Sequence, residues 1–174
     1  NPLNTLHDDG RKLVGRAVTC TYCPTRPDLH EVQFARGAED GLQGNYNQWV
    51  IDHLYERDVV VCDMYDKIYK GTFLGGNLTT ALHNRTKTGG AVIWGGIRDV
   101  EQMKKVPDVQ VYYRGIDPTP IREFVMKDWN DITNFGGAVC LPGDIVFGAG
   151  GGVLFIPAHL VADVVEGAAK THVK

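Results

Sequence analysis

The stretch Gly75–Asp99 reads GGNLTTALHNRTKTGGAVIWGGIRD, and its alternation of glycine turns with regular elements decides the layout of the chain. Gly75-Gly76 forms a turn, Leu78–Lys87 a helix opening from it, and Ala91–Trp94 a short buried strand. A second glycine turn, Gly95-Gly96, leads into Arg98-Asp99. Glycine lets a backbone turn tightly and come close to a ligand. The first turn of a helix leaves N–H groups unpaired and open to an anion, and here they are expected from Leu78 and Thr79. At the end of the strand, Arg98 offers a forked cation to a carboxylate. Asp99 offers a hard oxygen to Mg²⁺ or Mn²⁺. Together these groups suit a small carboxylate and a divalent metal, and therefore chemistry on a keto acid. Each piece alone also has a plainer reading: a capped helix with nothing bound, and a surface ion pair capping a helix at Val100.

Outward from this stretch, Leu13–Thr19 and Asp58–Asp63 (DVVVCD) read as strands, with a helix over Tyr46–Arg57 between them. Cys23–Gly44, rich in Pro, Gly and charge, reads as a long surface loop. Downstream, Val100–Lys105 is a short helix, and Val109–Tyr113, Ile121–Lys127 and Ile132–Val139 are strands. Asp144–Phe147 and Val153–Ile156 form a hairpin around Ala149–Gly152, and an amphipathic helix starts at Pro157. Mixed helix and strand followed by mostly strands favours a single layered α/β domain, residues 1–174, with a mixed sheet.

The chain has 174 residues, 43% of them hydrophobic and 22% charged, with a net charge of −3. That is enough for one domain with a real core. No basic stripe points to nucleic acid. No apolar run approaches the roughly 20 residues that span a bilayer. The expected compartment is the cytoplasm. The chain opens at Asn1 without a methionine, and a native N-terminal segment is expected to be missing.

Cys62 and Cys140 sit in apolar runs as inert thiols. Cys20 and Cys23 form one CxxC, read as structural because a zinc site needs further ligands. The two N-x-T triplets at Asn77 and Asn84 are chance matches. Gly148–Gly152 imitates a phosphate loop, but a strand rather than a helix follows it, so it is a hairpin turn. His83, on the helix after the first turn, is read as satisfied or solvent-facing rather than as part of a site. The three tryptophans are core or interface residues.

The quoted stretch resembles the signature of the regulator of ribonuclease activity A (RraA-like) family, which includes metal-dependent 4-hydroxy-4-methyl-2-oxoglutarate aldolases. The resemblance runs from about Gly15 to Val165. It takes in DVVVCD, YYRGIDPTP (112–120) and FGGAVCLPGDIVFGAGGGVLFIP (135–157), and its specificity lies in their combined order and spacing. It implies a swivelling β/β/α fold of the phosphohistidine-domain type. It also implies a homotrimer or hexamer with the active site at a subunit interface. By the same resemblance, pyruvate binds Mg²⁺ or Mn²⁺ through its carboxylate and keto oxygens, and Asp99 ligates the metal. Arg98 contacts the substrate and stabilises the enolate. The turn at Gly76 and the amides of Leu78 and Thr79 contact the pyruvate carboxylate or enolate.

Three positions depart from the aldolase pattern. Gln102 stands where an acid follows the Arg-Asp pair, with Glu101 one place earlier. Asn77 stands where an acid holds metal-bound water, and Gly150-Gly151-Gly152 replaces aspartate in the late hairpin. Each change removes negative charge from the metal surroundings. The expected activity is a divalent-metal-dependent lyase acting on a small 2-oxo acid, of the pyruvate aldolase or oxaloacetate decarboxylase type. The alternative is a non-catalytic regulator that binds a ribonuclease or another protein.

Overall fold

Three consecutive parallel strand pairings organise the molecule around the quoted stretch. The computed structural model describes residues 3–150 and 152–172. Its strands are β1 (Asn4–Thr5), β2 (Leu13–Pro24), β3 (Asp58–Leu74), β4 (Gly90–Ile97), β5 (Gln110–Ile116), β6 (Phe124–Trp129), β7 (Thr133–Phe135), β8 (Ala138–Cys140), β9 (Ile145–Ala149) and β10 (Gly152–Ile156). The helices are α1 (Pro27–Glu39), α2 (Tyr46–Asp52), α3 (Gly76–Thr86), α4 (Val100–Met103) and α5 (Val161–His172), the last preceded by a 3-10 turn at Ala158–Leu160. The main sheet runs β1-β5-β4-β3-β2-β9-β10, with β6 also on β2. Neighbours from β2 to β5 are parallel, whereas β1, β6, β9 and β10 pair antiparallel. This is a mixed α/β sheet in the swivelling β/β/α arrangement.

The central strands are apolar along their length because both faces are covered. On one face Val60, Cys62, Ala91 and Ile93 pack against Trp49 and Val50 of α2, Leu82 of α3 and Met103 of α4. On the other, Val59, Val61 and Val92 pack under Phe135 and Cys140 of the separate β7–β8 ribbon. Burial pushes the Cys140 thiol up to about 12, which keeps it protonated and inert. All four cysteines are free, Cys20 buried and Cys23 half-buried. Among the described residues, no helix is long and apolar enough to cross a membrane.

Several boundaries differ from the sequence reading. The expected loop over Cys23–Gly44 contains α1, with Pro27 in its first turn and Asp28 beside the N-terminus. Few of its residues are apolar, so periodicity did not reveal it. The strand expected to stop at Asp63 continues to Leu74 through an irregular stretch, where Tyr65, Asp66 and Lys70 take positive φ. Ile132–Val139 is not one strand: Gly136 and Gly137, at φ 58° and 91°, reverse the chain between β7 and β8. The β9–β10 hairpin is present as expected; of its glycine turn, Gly151 lies outside the described residues.

Candidate active site

Register builds the site. β3 and β4 run parallel with Leu74 opposite Ile97, so the residues that follow each strand emerge side by side. The backbone N–H of Arg98 donates to the Leu74 carbonyl at 2.9 Å and fixes this junction. Ligand sites in parallel sheets gather at such carboxyl ends.

Gly75 caps α3 in an extended conformation, φ −142° and ψ −176°, that any residue adopts. Its need is for space. A Cβ there would lie 2.7 Å from both Arg98 Nε and Asp99 Oδ2, and one on Gly76 would lie 2.2 Å from Gln102 Cδ. The glycines of the first turn make room for the side chains of the second. Asp99 has left-handed backbone, φ 56° and ψ 36°. That conformation is uncommon for a residue with a side chain. It is held because the N–H groups of Gln102 and Met103 both donate to the Asp99 carbonyl at 2.9 Å, starting α4.

Arg98 is 19% exposed. Its Nη1 donates to the Thr72 carbonyl at 3.2 Å and to Thr72 Oγ1 at 3.3 Å. The Thr72 hydroxyl spends its own proton on the Thr119 carbonyl at 2.6 Å, which leaves its oxygen free to accept from Arg98. Arg98 Nε faces Asp99 Oδ2 at 3.7 Å. With Asp99 47% exposed, this ion pair contributes less than about 1 kcal/mol. The guanidinium is therefore placed chiefly by Thr72.

At the start of α3, Gly76 N–H donates to Asp99 Oδ2 at 3.2 Å. The expectation for Thr79 needs correction. Its N–H and its hydroxyl both donate to the Gly75 carbonyl, at 2.9 and 2.8 Å, and the residue is fully buried. Because the helix begins at Gly76 rather than Leu78, Thr79 is the first residue to close an intrahelical bond. The amides left without an acceptor among the described residues are those of Asn77 and Leu78. The Asn77 side chain accepts a hydrogen bond from Gln102 Nε2 at 3.3 Å.

A cleft of about 540 Å³ opens onto these groups. Asn77, Leu78 and Arg98 line one wall; His30 and Phe34 of α1, Tyr46 of α2 and the segment Pro120–Phe124 line the other. Of this second wall the sequence shows only the helix that carries Tyr46; His30 and Phe34 lie in the segment that reads as a loop and is α1. Its aromatic rings stack on one another, Phe34 against Tyr46 at 4.9 Å between centroids and His30 against Phe34 at 4.6 Å. The Tyr46 hydroxyl shares a hydrogen bond with His30 Nδ1 at 3.1 Å. Burial pushes the Tyr46 phenol up to about 12, so it stays protonated at neutral pH. Among the described residues that line the cleft there is no carboxylate and no His83; the nearest acid to Arg98 is Asp99 beside it.

A divalent ion fits this donor set in one way only. Asp99 supplies a single anionic group, with one oxygen occupied by Gly76 N–H and the other without a hydrogen bond among the described residues. Asn77 and Gln102 are neutral and satisfy each other. No group of three His, Cys, Asp or Glu side chains gathers among the described residues. Mg²⁺ commonly keeps several waters and takes only one or two protein carboxylates. The site therefore suits a hydrated, weakly held ion shared with a ligand, not a closed protein cage.

Known proteins share this architecture. The crystal structure of Streptomyces coelicolor RraAS2, an unusual member of the RNase ES inhibitor RraA protein family, superposes with a TM-score of 0.79 at 23% identity, covering 98% of this chain and 77% of that one. The RNA-processing inhibitor RraA from Thermus thermophilis gives 0.65 at 18% identity, covering 89% and 81%. At such identities these likenesses concern the fold. Protein DlpA of Legionella pneumophila is 31% identical over 159 residues, which is 90% of this chain but 23% of DlpA. The chain thus spans about a quarter of that curated relative. A model of the RraA-like family, Aldolase/RraA, matches residues 2–155, and the chain belongs to that family.

Proposed function

We propose that the protein is a divalent-metal-dependent C–C lyase that releases pyruvate from a 2-oxo acid, as a 4-hydroxy-2-oxo acid aldolase or an oxaloacetate decarboxylase. The observation that carries this reading is the placement of Arg98. Its guanidinium is held by Thr72 on the wall of the cleft that also carries the free N–H groups of Asn77 and Leu78, with the Asp99 carboxylate beside it.

The substrate carboxylate sits against the helix N-terminus, where the N–H groups and the helix dipole both favour an anion. Arg98 faces the keto oxygen. When the C3–C4 bond breaks, its electrons move into a C2–C3 double bond and the keto oxygen takes up negative charge. Decarboxylation needs only this electron sink, with a proton returned to C3 from water. A fixed cation aimed at the developing oxyanion stabilises the transition state more than the ground state. A metal at Asp99 supplies Lewis acidity to the same oxygen when bound. A neighbouring subunit in a trimer or hexamer completes the pocket, in the cytoplasm.

The neutral Asn77–Gln102 pair favours a second reading, a non-catalytic regulator that binds a ribonuclease or another protein. One assay separates the two. Purified protein with Mg²⁺ or Mn²⁺ is given oxaloacetate or a 4-hydroxy-2-oxo acid, and pyruvate is measured. Activity in the native protein that is lost in Arg98→Ala and Asp99→Ala supports the lyase. Full activity in both variants refutes the roles assigned. No activity on any keto acid, with capture of an endoribonuclease in a pull-down, supports the regulator.

A further inference from the structure

We infer that a second cavity, on the opposite face of the sheet from the cleft, binds the primary ammonium group of a small amine, with Asp63 as its counter-ion. The inference uses none of the residues at the start of α3 and does not rest on the lyase reading.

Thr21, Asp63 and Trp94 form one row across three parallel strands. Thr21 is the register partner of Asp63 on β2, and Trp94 its partner on β4. Such neighbours share a face and lie about 5 Å apart. Cys62 points to the side of α2 and α3, where the cleft lies, so Asp63 points with Val61 to the side of the β7–β8 ribbon. The ribbon roofs both ends of the row. Thr133 Oγ1 shares a hydrogen bond with Thr21 Oγ1 at 2.8 Å, and a Cβ on Gly136 would lie 2.7 Å from the Trp94 ring. The whole row lines a cavity of about 510 Å³, with Asn134 and Gly136 of the roof. Regular pairing of β3 ends at Asp63, and the carboxyl ends of parallel strands are where ligands bind.

Asp63 is 7% exposed. Its Oδ1 accepts the Tyr65 N–H at 2.9 Å, whereas Oδ2 accepts no hydrogen bond and pairs with no cation among the described residues. The cations around the cavity are committed elsewhere. Arg114 pairs with Asp66 at 2.7 Å and lies over the Trp94 ring at 4.6 Å, and Lys127 pairs with Asp128 at 2.9 Å. Holding the Tyr65 turn does not explain an acid, because an asparagine oxygen accepts the same N–H with no charge to bury. The uncompensated carboxylate destabilises the protein alone, and a ligand cation offsets that. Tyr65 and Asp66, which follow it, both take left-handed backbone, at φ 52° and 56°. Such strain in side-chain-bearing residues clusters at binding sites. With Oδ1 occupied, the carboxylate cannot receive the two parallel bonds of a guanidinium fork. One free oxygen beside a threonine hydroxyl suits the compact, three-donor ammonium instead. A short alkyl chain on that ammonium packs against Trp94 and Ile132 of the lining.

The test compares n-butylammonium with 1-butanol, a neutral probe of the same shape, by titration calorimetry on the whole protein. The native protein is expected to bind the amine at least about tenfold more tightly than the alcohol, the scale of one hydrogen bond to a charged group. Asp63→Asn keeps the acceptor for Tyr65 and is expected to lose that preference without a fall in melting temperature. A pH series on the native protein needs no variant. Burial raises the Asp63 carboxyl above its ordinary value, and the protonated acid cannot pair with an ammonium. Amine affinity should therefore rise with pH through that raised value, while alcohol affinity stays flat. Tyr65, Asp66, Arg114, Lys127 and Asp128 are all still present in Asp63→Asn, so a pH dependence confined to the native protein belongs to Asp63. Equal binding of amine and alcohol by the native protein, an undiminished preference in Asp63→Asn, or amine affinity that does not change with pH overturns the inference. None of these outcomes touches the roles given to Arg98 and Asp99.

Discussion

One wall of the cleft is set by backbone register, whereas the facing wall is set by side chains stacked on one another. Gly75, Gly76 and Arg98 are placed by the junction of two buried parallel strands, and their neighbours sit within contact distance of any added methyl group. His30, Phe34 and Tyr46 come from two short helices, and their positions depend on ring contacts with each other and with Trp49. The difference assigns them different work. On the proposed lyase reading, the rigid wall takes the step common to every substrate, the stabilisation of charge on a keto oxygen. The stacked wall suits the choice of what else the substrate carries, because its surface changes without disturbing the sheet.

If this division holds, the largest effect comes from the rigid wall. Arg98→Ala should lower kcat for pyruvate release by about 10²–10³-fold, the size expected for one preorganised oxyanion contact. Arg98→Lys should not restore it, since a point charge cannot reproduce the fork held by Thr72. Steady-state kinetics checks both, and a Lys variant with native kcat would break the comparison.

Two glycines sharpen it next. On the stacked wall, a Cβ at Gly37 would lie 2.3 Å from the buried indole of Trp49, which has nowhere to move. Gly37→Ala should destabilise the fold by about 1–3 kcal/mol, as overpacking does, and thermal melts read it directly. On the rigid wall, the Cβ of Gly76→Ala meets the flexible end of Gln102. The melting temperature should change little while kcat falls, because the Gln102–Asn77 bond beside the anion site is displaced.

Tyr46→Phe should cost about 1 kcal/mol of stability from the lost hydrogen bond to His30. It should raise KM more than it lowers kcat. The reverse split would move Tyr46 from selection to chemistry.

The smallest effect is a control outside the cleft. Burial pushes the Asp63 carboxyl above its ordinary value, so the folded chain keeps that proton to higher pH than the unfolded chain does. The contribution of this residue to stability is present below the ordinary carboxylate pKa and is lost as pH rises through the raised one. Asp63→Asn retains an oxygen for the Tyr65 N–H, which donates to Asp63 at 2.9 Å. The variant should melt above the native protein at neutral pH, and the gap should close on acidification.

The rigid wall was legible in the sequence and most of the stacked wall was not, for physical reasons. Glycine turns flanking a short apolar run define their own geometry, so Gly75–Asp99 announced a helix N-terminus beside an Arg-Asp pair. The exact amides were misplaced by one residue, since the start of α3 depends on which carbonyl Thr79 caps, a matter of one hydrogen bond. The α1 helix escaped because its burial rests on Leu29, Phe34 and a glycine that admits Trp49, a pattern too sparse for periodicity. Its one local signal was Pro27-Asp28, a good helix start that stood amid loop-like composition. The Pro120–Phe124 part of that wall carried no sequence signal either, because it is brought to the cleft by the strapping of residues 117–122 to β3, a contact made across 47 residues at Thr72–Thr119.

The central claim is that Arg98 and the free amides of α3 converge on the same small anion. A crystal structure with oxalate, a planar mimic of the pyruvate enolate, and Mn²⁺ tests it most directly. The account predicts one oxalate carboxylate on the N–H groups of Asn77 and Leu78, a second oxygen on Arg98, and the ion against Asp99. Oxalate bound elsewhere, with Arg98 still turned to Thr72 and nothing at the start of α3, would contradict it.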